Sequence, residues 1–342
     1  MNKKIVALAV AAAFAVPVAA SAQTTLFGQF KYEVGYIDSA FPTGVNEDTG
    51  APTYVDAEFD NNLVHSSKGT RIGIHGSEDL GGGVSAIFRF QSGLGQVNRG
   101  MSGTNWNMNE ENWAGVRGGF GTLQLGRSDT AMKKTGGNHF RAFTDTLAEP
   151  SLIPAQTDRA DGIHYTTPNI AGFTGYLTLE PNGVGTDTYY ALGADYRIGA
   201  FYLAAAYESF ADDGKYVTGA SADQSNYQVG GKWNFGQGDI GLLYQAVNDG
   251  DDDVFVVPVN FKVTPNVNLR AAALYYSPDA DDQSSFTNWG VGAQYMFSSR
   301  TEAFVNVWVD DAERQTLTPG NNGPQAISTD STQFGLGLRH SF

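Results

Sequence analysis

The chain has 342 residues, 21 basic against 36 acidic, and no cysteine. Without cysteine there are no disulfides, zinc–thiolate sites or thiol nucleophiles. A net charge of −15 argues against nucleic acid as a partner, which needs a basic face.

The first 22 residues differ from the rest. Lys3 and Lys4 open the chain, Ile5 to Val16 is apolar, Pro17 comes next, and Ala20-Ser21-Ala22 is a small-x-small site. This order predicts a secretory signal peptide over 1–22, cleaved after Ala22. The apolar run is short for a spanning helix of about 20 residues. Residues 23–342 are expected to be a single barrel domain. Its net charge is −17, because removing Lys3 and Lys4 leaves 19 basic residues against the same 36 acids. No apolar run long enough to span as a helix occurs there. With 42 Gly, 16 Tyr and 21 Phe, the composition fits a β-rich barrel with aromatic girdles.

From Gln23 onward the period is two. Leu26, Gln29, Phe30 and Tyr32 begin an imperfect first strand. Over 69–78, Ile72 and Ile74 point one way while Arg71, Gly73 and His75 point the other. After the turn at Asp79 to Gly82, Val84, Ala86, Phe88 and Phe90 oppose Ser85, Arg89 and Gln91. Ala114 and Val116 alternate with Trp113, Gly115 and Arg117. Leu123 and Leu125 alternate with Thr122 and Gln124 beyond Gly119-Phe120-Gly121. Strands resume at Ile163, Tyr165 and Thr167. They continue over 171–180, 187–198, 200–210, 224–235, 238–248, 253–263, 266–276, 286–297, 301–310 and 330–342.

Connections fall into two classes. Those at 79–82, 119–121, 168–170, 198–200, 235–238, 263–266 and 297–300 are short. Those at 38–66, 94–110, 128–160, 181–187, 210–223, 249–252, 277–285 and 310–329 are longer and often acidic. Short turns on one rim and long loops on the other predict an all-β, transmembrane antiparallel β-barrel of the outer membrane. Seven short turns plus one closure where the chain ends meet imply sixteen strands. A soluble sandwich shares the alternation but does not account for two classes of connection. The longest break, about 128–160, carries both charge signs and is expected to fold inward and narrow the bore.

Several stretches together resemble the Gram-negative general porins. They are Thr70 to Gly81 (TRIGIHGSEDLG), Gly118 to Arg127 (GGFGTLQLGR), Tyr165 to Asn169 with Gly172-Phe173, and the terminal Gly337 to Phe342. The resemblance covers the chain from Gln23 in order. It implies a homotrimer of sixteen-stranded barrels, an inward-folded third long loop, and passive diffusion of small hydrophilic solutes without catalysis. It also implies that the barrel-assembly machinery reads Phe342. By motif position, Arg71 and Arg127 carry over to a basic ladder on the wall, with Arg159 a looser match. Asp145 and Glu149 are the loop acids expected to face it.

Alternation alone places Arg71 and Arg89 toward the lumen. It places Arg127 with Leu123 and Leu125, so either the strand ends or bulges at Gly126, or the carry-over of Arg127 to the ladder fails. A bulge is favoured here, since an arginine in lipid costs roughly 2–4 kcal/mol at the midplane. The acids cluster in long loops, at Glu47-Asp48, Asp212-Asp213, Asp249, Asp251 to Asp253, Asp281-Asp282 and Asp310-Asp311. They read either as solvated, mutually repelling loops or as carboxylates that bridge calcium or magnesium to lipopolysaccharide phosphates. An acidic mouth enriches cations, so a weak cation preference is expected.

The histidines, His65, His75, His139, His164 and His340, stand near no nucleophile elbow, and neither a P-loop nor H-E-x-x-H occurs. No enzyme, cofactor or dedicated metal site is expected. The alternatives are a substrate-specific outer-membrane channel and a non-conducting adhesin or structural barrel.

Overall fold

The computed structural model describes residues 23–39, 41–45, 52–55, 63–94, 97–98, 110–147, 157–181, 188–210, 224–279, 285–311, 317–320, 323–326 and 331–342. The signal-peptide expectation over 1–22 lies outside them, as do Glu149 and the acids of 47–48, 212–213 and 281–282.

Sixteen wall strands run in chain order. They are β1 (Gln23–Ser39), β2 (Arg71–Gly81), β3 (Val84–Gly93), β4 (Asn112–Gly118), β5 (Gly121–Asp129), β6 (Arg159–Thr166), β7 (Phe173–Glu180) and β8 (Tyr189–Ile198). The second half holds β9 (Phe201–Ser209), β10 (Ser225–Asn234), β11 (Gly238–Val247), β12 (Asp252–Thr264), β13 (Val267–Ser277), β14 (Phe286–Met296), β15 (Thr301–Asp311) and β16 (Ser331–Ser341). Each pairs antiparallel with its chain neighbours, and β1 also pairs with β16, which closes the barrel. At the seam Gly28 and Phe342 exchange backbone hydrogen bonds of 3.1 and 3.0 Å. Leu63–Ser66 extends the line of β2 alongside upper β1 and pairs with Val97–Asn98.

The distribution of side chains is inverted relative to a soluble protein. On β1, Leu26, Phe30, Tyr32, Val34 and Tyr36 are exposed, while Gln29, Lys31 and Glu33 between them are buried. The same alternation runs through β8 to β10 and β14 to β16, where Leu192, Leu203, Val229, Val291 and Leu336 are exposed. A soluble domain does not present so continuous an apolar surface to water. Lipid removes that cost and leaves the inner side for polar groups. This excludes the sandwich reading, in which the apolar faces would meet each other.

All seven short turns occur where the sequence places them. Gly82 and Gly83 link β2 and β3 with φ of +62° and +77°, a region open to glycine at no steric cost. The wall departs from expectation at two points. The bulge expected at Gly126 does not shift the register. β5 pairs residue by residue with β4 and β6 through Arg127, although Gly126 itself has φ +121°. The inner wall is also not uniformly polar. Leu243, Val247, Val254, Val256 and Leu274 form a buried apolar patch on β11 to β13. These strands are apolar on both faces because something other than water covers the inner one.

Candidate functional site

The cover is the segment 130–147. It leaves the end of β5 at Thr130, whose hydroxyl accepts from Lys133 N at 3.1 Å and caps α1 (Ala131–Thr135). A second short turn of helix, α2 (Gly137–Phe140), comes directly after. Three apolar contacts seat it. Ala131 and Met132 pack with Ala160, Tyr189, Ala191, Ala206 and Phe210. Phe140 joins the patch around Leu243 and Val254, and Ala142 and Phe143 meet Ala272 and Trp308. The wall beneath is trimmed to make room. A Cβ at Gly230 would stand 2.6 Å from the Phe140 ring, at Gly292 2.9 Å from Phe143, and at Gly35 2.7 Å from Leu147.

Irregular backbone shielded from water needs partners for its carbonyls and amides. Wall side chains supply them. Gln228 donates to Met132 O (2.8 Å), Tyr202 to Thr135 O (3.2 Å), Lys232 to His139 O (3.0 Å) and Arg270 to Ala142 O (3.0 Å). Lys31 donates to Asp145 O, and Glu33 accepts from Leu147 N at 2.9 Å. Every one of these wall residues alternates with the exposed apolar row of its strand.

Charged groups at the segment's root form an alternating chain. Arg89 pairs with Glu111 at 2.9 Å and donates to Gln91, which donates to Glu110. Glu110 pairs with Arg159 at 2.8 Å, and Arg159 with Asp129 at 3.3 Å. Asp129 pairs with Lys133 at 3.0 Å, and Asp158 with Arg141 at 2.8 Å. On the segment itself, burial lowers the Lys134 pKa, and the ammonium lies over the Tyr176 ring. Burial, then the Arg197 and Lys232 charges, lower the His139 pKa to about 4, so its ring is neutral against Tyr202. Among the described residues no three His, Asp or Glu side chains converge on a metal position.

The expected residues distribute as follows. Arg71 and Asp145 come together, Nη1 to Oδ2 3.7 Å. Gly69 admits that approach, since a Cβ there would stand 2.7 Å from the Asp145 carboxylate. Arg89 and Arg159 lie in the charge chain. Arg127 stands apart, paired across the strands with Asp161 at 2.9 Å on the side that carries Leu125 and Ile163. Phe342 closes the seam, with its ring over Gly28.

Sequence reasoning passes over Lys31, Glu33, Lys232 and Arg270. A signal for the first two is present. Two charges spaced i, i+2 in a strand, between Phe30, Tyr32 and Val34, must share the face away from lipid.

Three comparisons bear on this architecture. A family model described as Gram-negative porin matches residues 7–315. Major outer membrane protein P.IB of Neisseria lactamica is 27% identical over 375 residues, with all of both chains covered. The protein of the same name from Neisseria meningitidis serogroup B is 28% identical over 370 residues, again with full coverage. Among solved structures, an anion-selective porin from Comamonas acidovorans superposes with TM-score 0.67 at 20% identity, covering 94% of this chain and all of that one. OmpT, an outer membrane protein of Vibrio cholerae, gives 0.65 at 16%, covering 94% and 98%.

Proposed function

Because this chain belongs to the Gram-negative porin family, we infer that its barrel is an outer-membrane channel through which ions and small hydrophilic solutes diffuse passively. The observation that carries the reading is the closed sixteen-stranded wall with exposed apolar and buried polar rows. Such a wall seals against lipid and encloses a polar bore. The family is one of channels rather than enzymes.

The finer reading is also ours. Segment 130–147 narrows the bore, and the aperture lies between it and the wall of β1 to β3. Arg71 and Arg89 face that aperture from the wall and Asp145 from the segment. Opposed charges across a narrow water-filled gap orient dipolar solutes and set ion preference. Arg127 is not part of this ladder, since its partner Asp161 lies on the apolar-row side. Acidic long loops outweigh the paired arginines, and a weak cation preference results. The Comamonas neighbour is described as anion-selective, so the sign is where this chain is expected to differ. Export by a signal peptide over 1–22, recognition of Phe342 by the barrel-assembly machinery, a homotrimeric assembly and contact with lipopolysaccharide complete the proposal.

Single-channel current in a planar bilayer under a salt gradient tests it. Large ohmic steps in groups of three, with current linear in concentration, support an open trimer, and the reversal potential gives the sign. Saturating current would indicate a substrate-specific channel. Silence from folded protein would leave a structural barrel.

A further inference from the structure

Lys31 and Glu33 are among the most deeply buried charges of the molecule, 1% and 0% exposed. Their ammonium and carboxylate meet at 3.0 Å. Neither faces the water of the bore, so neither acts on a passing ion directly. Both reach the backbone of the segment instead. Lys31 Nζ donates to the carbonyl of Asp145, and Glu33 Oε2 accepts from the amide of Leu147. The two contacts bracket one turn, two residues apart, with opposite polarity.

That turn is unusual. Asp145 has φ +65°, a region an L-residue enters at a cost. Thr146 caps the turn by donating from its hydroxyl to Phe143 O at 3.0 Å. Upstream, Arg270 holds Ala142 O and lies over the Phe143 ring. The turn is therefore pinned on both sides, and the Asp145 side chain leaves it toward Arg71. The wall leaves room for the clamp. Gly335 lies so close that a Cβ there would stand 1.9 Å from Glu33 Oε1, and Phe304 presents its ring to Lys31 at 5.1 Å.

We propose that Lys31 and Glu33 are a positioning pair, which holds Asp145, the acid of the turn from Phe143 to Leu147, beside Arg71 and so sets the ion preference of the aperture. The proposal rests on the aperture reading given above. An ion pair with this role is net neutral, so removing both partners changes no charge in the bore. Any shift in selectivity then comes from movement of Asp145.

The test is a double-mutant cycle read as reversal potential in a salt gradient. Proteins are wild type, D145N, K31Q/E33Q and the triple variant, each checked for folding by heat-modifiable gel mobility. D145N moves the reversal potential toward anion preference. In the K31Q/E33Q background the same change moves it by about twofold less or smaller, as residues of one network do in such cycles. K31Q/E33Q alone shows added current sublevels at unchanged net charge. If D145N has no effect in the wild-type background, the aperture reading falls. If D145N has the same effect in both backgrounds, that reading stands and the positioning pair is refuted. Should K31Q/E33Q fail to fold, K31M/E33L, which fills the same space and leaves no buried charge unpaired, takes its place under the same criteria.

Discussion

Gly230 is one of the positions where the wall leaves no room for a side chain beneath the segment. Its mutation to alanine adds one methyl group, 2.6 Å from the Phe140 ring and 2.9 Å from Leu243. Carbon atoms rest at about 3.5–4.0 Å, so the ring must retreat by about 1 Å. Overpacking of a buried site costs about 1–3 kcal/mol. Part of that cost falls on Leu243 of the adjoining wall strand, offset by the roughly 0.5–1 kcal/mol by which alanine serves a strand better than glycine. The remainder falls on docking of the segment, and the docked-to-undocked ratio drops by up to about 150-fold. Gly231 provides the control. It is the next residue of the same strand and faces the other way, where a Cβ would meet only Leu203 and Tyr202 O at 3.3 and 3.7 Å. In single-channel recordings Gly230→Ala gives frequent sublevel transitions, Gly231→Ala gives none, and the barrels melt no lower than wild type. Identical quiet traces from folded Gly230→Ala protein, or equal disturbance from both variants, would refute the reasoning.

Other outcomes rest on the same geometry. Arg71→Ala enlarges the conductance and moves the reversal potential toward cations, because Asp145 loses the guanidinium it faces. Arg127→Ala leaves both unchanged and alters stability by less than about 1 kcal/mol, the range of exposed pairs, as bilayer recording and thermal melting would show. Acid weakens docking through His139. Free of the wall it titrates near 6.5, whereas docked it is held at about 4 by burial and by Arg197 and Lys232. The undocked form takes the proton first, so docking loses stability as pH falls from 6.5 to 4. Conductance noise therefore rises as pH is lowered from 7 to 5 in wild type and rises less in His139→Gln. Deletion of Phe342 removes the backbone exchange with Gly28, and the amount of folded barrel in outer-membrane fractions falls.

The wall is legible in the sequence because lipid imposes a rule that each residue can state alone. Ile72 and Ile74 against Arg71 and His75 show a face without reference to any other strand. The seven tight turns are equally local. The segment's path is not, since it depends on partners far away in the chain. Phe140 reads as an ordinary loop aromatic until Gly230, Leu243 and Val254 are brought under it. The doubled apolar faces of β11 and β12 are the visible trace of that cover, and alternation alone has no way to use them. Family resemblance points to Arg71 and Asp145, and the structure sets them side by side. Arg127 comes from the same source, but strict alternation, which points it outward, describes its placement better than a bulge does. Lys31 and Glu33 escape notice because β1 looks irregular at its start, although their i, i+2 spacing already fixes their side.

The segment's ties also imply an order of events in folding. They span widening stretches of chain, though not in strict order: Ala131 reaches Thr178, 47 residues on, Thr135 reaches Tyr202, 67 on, Met132 and His139 reach Gln228 and Lys232, 96 and 93 on, and Ala142 reaches Arg270, 128 on. The last anchor then jumps back 114 residues, from Leu147 to Glu33 in the first strand. Contacts of long sequence separation form late, because closing the intervening chain costs entropy before any contact repays it. Docking can therefore advance only as fast as successive strands arrive, from the root at Thr130 outward. Its far end has a complete seat only when β16 has met β1. A pore caught before that seam closes would lack its finished aperture.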